Sequence, residues 1–331
     1  MSASDGPGPG PAPGPASTPP PASTPGDGGG AGAGTVAAAL ARGAVVLDGG
    51  LSNQLADQGC DLSDALWSAR LLADAPEQIE AAHAAYVRAG ARMLITASYQ
   101  ATYEGFARRG ISRAQTTALL RRSVELARRA AGDRTDVWVA ASVGPYGALL
   151  ADGSEYRGRY GLSVRELERF HRPRIEALCA AGPDVLALET VPDMDEAEAL
   201  LRAAEGTGVP VWLSYTAVGD ATRAGQPLDR ALALAADSGQ VLAVGVNCCD
   251  PADADHAVGL AAEVSGKPVV VYPNSGEIWD AERRGWRGGV TFDPARAVEW
   301  RSAGARLIGG CCRVGPDRIA AVARALDAVL P

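Results

Sequence analysis

Short apolar runs rich in β-branched residues alternate with longer segments of helical periodicity from Ala44 onward. The apolar runs predict eight strands, at residues 44–47, 92–97, 137–143, 184–188, 209–215, 241–246, 268–272 and 305–308. The intervening segments predict eight helices, at residues 77–89, 112–131, 163–181, 195–205, 228–237, 254–264, 294–303 and 316–330. Strands that alternate with helices in this way are typical of a parallel α/β fold.

The order and the boundaries of these elements favour one closed barrel. Ser163 stands three residues before Glu166 at the start of one predicted helix, which is the spacing of a capping box, and Gly182 follows its end. Eight successive strand–helix units predict a single (β/α)8 barrel of the TIM type. The alternative is a doubly wound sheet, which requires a glycine-rich phosphate-binding turn after the first strand. The turn at residues 48–53 reads Asp-Gly-Gly-Leu-Ser-Asn and lacks that spacing.

The first 34 residues differ in composition from the rest of the chain. They hold 9 of the 22 prolines and 10 of the 40 glycines, and they contain no Lys or Arg. A segment with so few large apolar side chains cannot bury enough surface to offset the entropy that it loses on ordering. We therefore predict a disordered N-terminal extension at residues 1–34 and a barrel domain at residues 35–331.

The chain of 331 residues is acidic, with 31 Lys and Arg against 39 Asp and Glu and a formal net charge of −8. This argues against non-specific binding to nucleic acid or to anionic membranes, because such binding depends on clustered basic residues. No apolar run approaches the ~18 residues of a membrane span, and the N-terminus lacks the pattern of a signal peptide. We expect a cytoplasmic protein that binds neither nucleic acid nor membranes. Its oligomeric state stays open.

Four of the six cysteines form two adjacent pairs, Cys248-Cys249 after the sixth predicted strand and Cys311-Cys312 after the eighth. The carboxyl ends of barrel strands meet at one rim, so both pairs are expected there. Thiolates that converge on a rim suit Zn²⁺, and three of them leave one coordination position open for a substrate. The alternatives are a vicinal disulfide at Cys311-Cys312, which requires strain, and redox chemistry, which usually uses Cys-x-x-Cys spacing.

The chemistry of such a site follows from its charge. His83, His171 and His256 fall inside predicted helices, so we do not expect a histidine as a fourth ligand. A zinc ion with three thiolates is electron-rich and therefore a weak Lewis acid for water. It would instead bind an incoming thiol, lower the pKa of that thiol from ~8.5 and hold it as a nucleophile. The site predicts alkyl transfer onto a substrate sulfur.

Short motifs stand at the ends of the predicted strands and in the loops that follow them. They are Leu47-Asp-Gly-Gly, Ile95-Thr-Ala-Ser-Tyr-Gln-Ala-Thr, Ser142-Val-Gly-Pro-Tyr-Gly, Asp152-Gly-Ser-Glu-Tyr-Arg-Gly, Leu188-Glu-Thr, Gly245-Val-Asn-Cys, Val271-Tyr-Pro-Asn-Ser-Gly-Glu and Gly309-Gly-Cys-Cys. In this order, between Val45 and Leu326, they resemble the homocysteine S-methyltransferases. The most similar branch is the cobalamin-independent one that uses S-methylmethionine or S-adenosylmethionine. The resemblance implies a zinc-dependent barrel enzyme that methylates homocysteine to methionine.

The resemblance also implies which cysteines hold the metal. Cys248, Cys311 and Cys312 match the three zinc ligands of the family, and the sulfur of homocysteine would be the fourth. Cys249 departs from the pattern of many relatives. Because side chains alternate along an extended strand end, we expect only Cys248 of that pair to face the metal.

Two acidic residues match the part of the family site that holds the amino group of the substrate. Glu189, in the Leu-Glu-Thr motif, matches the carboxylate that binds the substrate ammonium group, and Asp48 matches a second acidic group nearby. Charge-assisted hydrogen bonds from two carboxylates could select an α-amino acid, although Asp48 could instead serve only the turn. The backbone amides of Gly49 and Gly50 are candidate donors to the substrate carboxylate.

Four further residues are candidates for the substrate site, and three of them, Gln100, Trp67 and Tyr99, are candidates for its donor side. Gln100 matches a position that lines this side in relatives, and packing is the alternative. Trp67 and Tyr99 could stack against a sulfonium methyl group, since an aromatic face stabilises an onium centre, but Trp67 could equally belong to the core. Asn274 matches a family motif as either a substrate contact or a brace between loops.

Some alternatives remain open at this level. Ser52-Asn53-Gln54 stands where Ala-Thr-Glu is frequent in relatives, so the first loop departs from the family pattern. A betaine-dependent homocysteine methyltransferase would use the same scaffold, but the Ser-Tyr-Gln sequence of the second loop favours a sulfonium donor. A zinc-binding barrel without turnover is the alternative outside catalysis. A cobalamin enzyme would need a cobalamin-binding sequence that this chain lacks.

Overall fold

Eight parallel strands form a single sheet in the computed structural model, which describes residues 34–64, 66–280 and 285–328. In chain order we call them β1 to β8, and they are Val45–Val46, Met93–Ile95, Trp138–Val143, Val185–Val191, Val211–Tyr215, Val241–Asn247, Val269–Tyr272 and Ala305–Ile308. Each strand pairs with the next along the chain, and β8 pairs with β1.

The sheet closes on itself between β1 and β2. Leu47 and Met93 form a parallel bridge, and Arg92 N–H donates to the Val46 carbonyl at 2.8 Å. A closed ring of consecutive parallel strands confirms the predicted (β/α)8 barrel and excludes a doubly wound sheet.

The eight predicted helices are also present, and we call them α1 to α8. They are Pro76–Arg88, Arg113–Ala131, Val164–Cys179, Met194–Ala204, Leu228–Ala233, Pro251–Ser265, Arg296–Ser302 and Pro316–Asp327. The capping box predicted for α3 forms, because Glu166 N–H donates to Ser163 Oγ at 3.3 Å and Ser163 N–H donates to Glu166 Oε2 at 2.8 Å. No helix among the described residues is long and apolar enough to cross a membrane.

The connections that follow the strands carry elements that the periodicity did not predict. The helices Leu51–Asp57 and Trp67–Asp74 join β1 to α1, and Tyr103–Ala107 precedes α2. The helix Tyr146–Leu150 and the 3₁₀ turn Ser154–Tyr156 precede α3. Two short hairpins follow β5 and β7. These short elements build up the rim at the carboxyl ends of the strands.

Two apolar cores lie on the two faces of the sheet. The larger packs the helices against the outside of the barrel. The smaller fills the interior and includes Met93, Trp138 and Trp212. It also contains Val36, Ala39 and Leu40 from an unpredicted helix, Val36–Arg42, which precedes β1. The predicted extension at residues 1–34 lies outside the described residues except for Gly34, whose carbonyl accepts a hydrogen bond from Trp138 Nε1 at 3.1 Å.

Candidate metal centre and substrate site

Three cysteine sulfurs converge at the carboxyl ends of β6 and β8. The Sγ atoms of Cys248, Cys311 and Cys312 all lie within 4.8 Å of one another, and Cys248 and Cys312 are 3.8 Å apart. Tetrahedral coordination with Zn–S bonds of about 2.3 Å places sulfurs about 3.8 Å apart. The sulfurs therefore have the chemistry and the spacing for one soft metal ion.

The rest of the described chain offers no further ligand of the usual kind. Among the described residues, these cysteines are the one group of three or more His, Cys, Asp or Glu side chains close enough to share an ion. His83 and His171 are buried within α1 and α3, and His256 pairs with Asp220 at 2.6 Å. All six cysteines are free thiols, so Cys311 and Cys312 form no vicinal disulfide.

Backbone hydrogen bonds fix the loops that carry the cysteines. Asn274 Oδ1 accepts the Cys312 N–H at 3.0 Å, and Asn274 N–H donates to the Cys249 carbonyl at 2.9 Å. Cys311 N–H donates to the Pro273 carbonyl at 2.8 Å. Asn274 thus links the loop after β6 to the loop after β8, which is the bracing role considered from the sequence.

Left-handed backbone conformations occur near the ends of β4 and β6, the two strands on either side of β5. Thr190 has φ +58° and Cys248 has φ +52°, a region that costs a non-glycine residue roughly 1–3 kcal/mol. Asn247 stabilises both turns: its Oδ1 accepts the Thr190 N–H and its Nδ2 donates to Thr190 Oγ1, each at 2.7 Å. The Asn247 side chain thus links the Glu189-Thr190 segment to Cys248, the residue that follows Asn247 in the chain.

Hydrogen bonds among the three thiol groups change the pKa of each of them. Hydrogen bonds from Cys311 and Cys312 lower the pKa of Cys248 well below its usual range, and they outweigh the opposing effect of burial. The Tyr156 hydroxyl lies 3.2 Å from the Cys248 sulfur and acts in the same direction. Cys249 belongs to the outer core, and burial raises the pKa of its thiol. Cys248 is therefore the member of its pair that takes part in the cluster.

Glu189 lies at the end of β4 inside a network of buried donors. Ser142 Oγ donates to Glu189 Oε1, and the Tyr272 hydroxyl donates to Glu189 Oε2 at 3.0 Å. Tyr272 accepts a hydrogen bond from Trp212 Nε1 at 3.1 Å and lies 2.8 Å from Ser214 Oγ. Burial nevertheless raises the pKa of Glu189 to about 7, and the hydrogen bonds offset this only in part.

Asp48 lies at the end of β1 and is only 1% exposed. Its Oδ2 accepts the Ile95 N–H at 2.9 Å, whereas its Oδ1 is buried and has no hydrogen-bond partner among the described residues. Burial raises the pKa of Asp48 well above its usual value, and the charge of Glu189 adds to the effect. An unpaired buried carboxylate oxygen is costly unless a ligand supplies a donor.

The two glycines after Asp48 pack against the loop that carries Cys311 and Cys312. A Cβ at Gly50 would lie 2.6 Å from the Cys311 carbonyl oxygen, and a Cβ at Gly49 would clash with the Val314 carbonyl. Gly50 N–H already donates to Val314 O at 2.9 Å. A neighbouring loop therefore already uses the Gly50 amide, which is one of the two amides predicted as donors to a substrate carboxylate.

The first loop also contacts the cysteine loop through a side chain. Asn53 Oδ1 accepts the Arg313 N–H at 2.6 Å, directly after Cys312. The departure from the family pattern at residues 52–54 thus contributes a link between the two loops.

The structure separates the donor-side candidates by their environment. Tyr99 lies against Gly144, where a Cβ would approach the Tyr99 ring to 2.6 Å. Gln100 is buried beside it in the chain. Trp67 is 44% exposed at the start of its helix, with φ +45°, and so it is not a core residue. It belongs to the connection after β1, on the rim side of the barrel.

Several residues of the site had no role assigned from sequence. Ser142, Tyr156, Asn247 and Tyr272 all lie within the quoted motifs, but sequence alone gives no partner for them. The sequence does contain one feature that could have identified them as site residues. Each is a polar side chain at or near the end of an apolar segment, as Asn247 is in Val-Gly-Val-Asn-Cys at residues 244–248.

A TIM barrel whose rim combines three converging sulfurs with buried carboxylates defines a candidate metal-dependent enzyme. The family model described as homocysteine S-methyltransferase matches residues 45–326. The chain belongs to the homocysteine S-methyltransferase family.

Named relatives are similar over most of their length. Homocysteine S-methyltransferase 4 of Zea mays is 46% identical over 308 residues, which cover 86% of this chain and 90% of the relative. Homocysteine S-methyltransferase of Escherichia coli is 46% identical over 293 residues, which cover 84% of this chain and 94% of the relative. The crystal structure of the E. coli homocysteine methyltransferase MmuM in its metallated form superimposes with a TM-score of 0.76 at 44% identity, and it covers 85% of this chain and 96% of that chain.

Proposed function

We propose that this chain transfers a methyl group from a sulfonium donor to the thiolate of homocysteine, which forms methionine, and that Cys248, Cys311 and Cys312 hold a Zn²⁺ ion. The observation that carries the proposal is the convergence of three sulfurs on a rim that also presents the buried Asp48 carboxylate, one oxygen of which has no partner among the described residues. Membership of the family supports the reaction, and the metallated relative supports a metal.

The protein would supply three sulfur ligands in a fixed arrangement and leave the remaining position to the substrate. When bound, Zn²⁺ would lower the pKa of the substrate thiol from ~8.5 and keep it as a thiolate. Asn274 and Asn247 hold the two cysteine loops, so little rearrangement is needed on binding.

The amino end of homocysteine would lie at Asp48 and Glu189. An ammonium group there can donate to the free Asp48 Oδ1 and to Glu189, and it offsets the cost of burying the carboxylates. The remaining amide of the turn, Gly49 N–H, is proposed as a donor to the substrate carboxylate, since Gly50 N–H is already used.

The donor would approach from the side of Tyr99, Gln100 and Trp67. An aromatic face stabilises a sulfonium cation, and the exposed Trp67 is placed to meet a ligand from solvent. The thioether leaves without protonation, so the site needs alignment and exclusion of water rather than a general acid. S-Methylmethionine and S-adenosylmethionine are the proposed donors.

The central test replaces one proposed ligand. Cys311→Ser should bind at least tenfold less zinc and form methionine at least 100-fold more slowly, because serine is a poor ligand for this metal. Cys179→Ser is the matched control, since Cys179 is a free thiol outside the cluster. Metal content by atomic emission and methionine formation by chromatography are the readouts. Full metal content and full activity in Cys311→Ser would refute the proposal.

A panel of S-methylmethionine, S-adenosylmethionine and betaine with homocysteine as acceptor identifies the donor. Turnover with betaine alone would favour the betaine-dependent reaction. A metal-loaded protein that forms no product with any donor would favour a binding protein without turnover. The six free cysteines support a reducing compartment, and we propose that the enzyme acts in the cytoplasm, without nucleic-acid or membrane partners.

A further inference from the structure

A third carboxylate lies close to the cysteine cluster and has no role in the proposal above. Glu155 belongs to the 3₁₀ turn Ser154–Tyr156 in the connection between β3 and α3. The next residue, Tyr156, places its hydroxyl 3.2 Å from Cys248 Sγ. Glu155 Oε2 is buried and has no hydrogen-bond partner among the described residues.

Backbone contacts hold this turn in place. Gly147 lies directly against it, and a Cβ at Gly147 would clash with the Glu155 backbone. Asp152 Oδ1 accepts the Ser154 N–H at 2.9 Å, and the Ser154 carbonyl accepts Arg157 N–H at 2.9 Å. The position of Glu155 therefore does not depend on any partner of its carboxylate.

One cation, Arg157, offsets the effect of burial on the pKa of Glu155 only in part. Burial raises the pKa of Glu155, and the charge of the nearby Cys248 adds to this effect. The Arg157 guanidinium donates its hydrogen bonds to Ser154 Oγ at 2.7 Å and to Asp152 Oδ2 at 3.4 Å. The charge of Glu155 also raises the pKa of the Tyr99 phenol, in addition to the larger effect of burial. A buried carboxylate oxygen without a hydrogen-bond donor is costly, and a cationic ligand that donates to Glu155 Oε2 would remove that cost.

The rim thus has two separate acidic places, Asp48 with Glu189 and Glu155 alone, and the proposed reaction has two amino-acid substrates. We propose that Glu155 binds the α-ammonium group of the methyl donor and so selects sulfonium donors that are α-amino acids. This inference rests on the proposed function and adds to it a group that distinguishes donors.

The reaction itself decides which cationic group of the donor belongs next to Glu155. The sulfonium loses its positive charge as its methyl–sulfur bond breaks and the methyl group passes to the thiolate. A carboxylate beside the sulfonium would stabilise the ground state more than the transition state and would slow the reaction. The α-ammonium group keeps its charge throughout, so a carboxylate there contributes binding without opposing methyl transfer.

The test compares two donors that differ only in the ammonium group. They are S-methylmethionine and 4-(dimethylsulfonio)butanoate, which has hydrogen in place of that group. Glu155→Gln should lose about 10- to 100-fold in kcat/KM with S-methylmethionine, because a charge-assisted hydrogen bond is lost. With the butanoate it should change less than about 3-fold. The KM for homocysteine should stay unchanged. Glu263→Gln removes the same charge from an exposed position on α6 and should behave as wild type.

Calorimetry gives a second readout that does not depend on turnover. The dissociation constant of S-methylmethionine should rise in Glu155→Gln by the same factor as kcat/KM falls. Equal losses with both donors, or an unchanged dissociation constant, would overturn the inference. If Glu155→Gln does not fold, Glu155→Asp answers the same question, since a loss confined to S-methylmethionine supports the inference and an equal loss with both donors refutes it. Wild-type protein that binds S-methylmethionine but forms no methionine would refute the proposed function and leave this assignment intact.

Discussion

Glu189 lies almost completely out of water, and its ionisation decides whether it can hold an ammonium group. Burial raises its pKa to about 7, whereas hydrogen bonds from Ser142 and Tyr272 lower it. The carboxylate form therefore dominates above pH 7 and is lost as the pH falls through 7. Asp48, whose pKa is also raised by burial, changes in the same direction.

Ligand binding should follow this ionisation. The affinity for methionine, a product that has no titrating thiol, should fall by up to about tenfold between pH 8 and pH 6, because a group with a pKa of about 7 goes from mostly ionised to mostly protonated. Calorimetry across this range measures it. Glu189→Gln should bind more weakly at pH 8 and lose the step near pH 7, whereas Glu198→Gln on α4 should keep it. Wild-type affinity that does not change with pH would contradict the assignment.

Tyr156 acts on a cysteine that we propose as a metal ligand. Its hydroxyl lies 3.2 Å from Cys248 Sγ, and Arg223 lies over its ring. Hydrogen bonds to ligand atoms commonly change metal affinity by about 10- to 100-fold. Tyr156→Phe should therefore bind zinc about tenfold more weakly in competition with a chelating dye. Tyr103→Phe, which loses a tyrosine hydroxyl at Thr117, should bind as wild type. Equal affinities in both variants would exclude this role.

At the scale of elements, the site depends on how closely the loops after β1, β7 and β8 approach one another. Gly50 allows the first of these loops to contact the Cys311 backbone, Asn53 accepts the Arg313 N–H, and Asn274 accepts the Cys312 N–H. Gly50 and Asn274 lie outside helices and strands, and Asn53 lies in the short helix Leu51–Asp57. Contacts between these connections, rather than pairing within the barrel sheet, therefore set the positions of two of the three sulfurs.

Gly50→Ala tests this packing. The backbone at Gly50 has φ −67°, which alanine adopts freely, so any effect comes from the Cβ that would lie 2.6 Å from the Cys311 carbonyl. We expect metal affinity to fall about tenfold and the melting temperature to fall by a few degrees, as for a crowded core position. Gly43→Ala is the control, because nothing lies within 4 Å of its Cβ position and its backbone is extended. Unchanged metal binding in Gly50→Ala would show that the loops adjust.

At the scale of the whole molecule, the interior of the barrel includes apolar side chains from Val36–Arg42 before the first strand. Val36 and Leu40 are each 4% exposed and belong to the interior core. Burial of a Val or Leu side chain contributes about 1.5–3 kcal/mol. The segment before β1 therefore stabilises the fold even though it adds nothing to the rim.

Two truncations distinguish the contribution of the helix Val36–Arg42 to stability from that of the residues before it. Removal of residues 1–33 should leave the melting temperature and the activity unchanged, since the described core begins at Val36. Removal of residues 1–43 should lower the melting temperature by roughly 5–10 °C, because two large apolar contacts are lost. Thermal unfolding followed by circular dichroism measures both. Equal melting temperatures for the two truncations would show that the helix contributes no stability.

The number and order of strands and helices could be predicted because their signals are local. The alternation of apolar runs at β1 to β8 and caps such as Ser163-x-x-Glu166 depend on residues a few positions apart. The position of both cysteine pairs on one rim followed from that order, because parallel strands point the same way. The short helices of the rim and Val36–Arg42 were missed, since they are stabilised by contacts with distant residues rather than by their own periodicity.

The sequence by itself thus determined the barrel, its rim and the residue types that stand there. The tertiary structure decided which groups meet. Asn247 at the end of β6 bonds to Thr190 on β4, the Val314 carbonyl accepts the Gly50 N–H, and Glu155 Oε2 has no hydrogen-bond partner in the described part of the chain. These outcomes depend on closure of the sheet and on loop packing, which bring together residues far apart in the chain. Burial in the folded barrel then raises the pKa values of Asp48, Glu155 and Glu189, the carboxylates that we propose as ligands of the substrate ammonium groups.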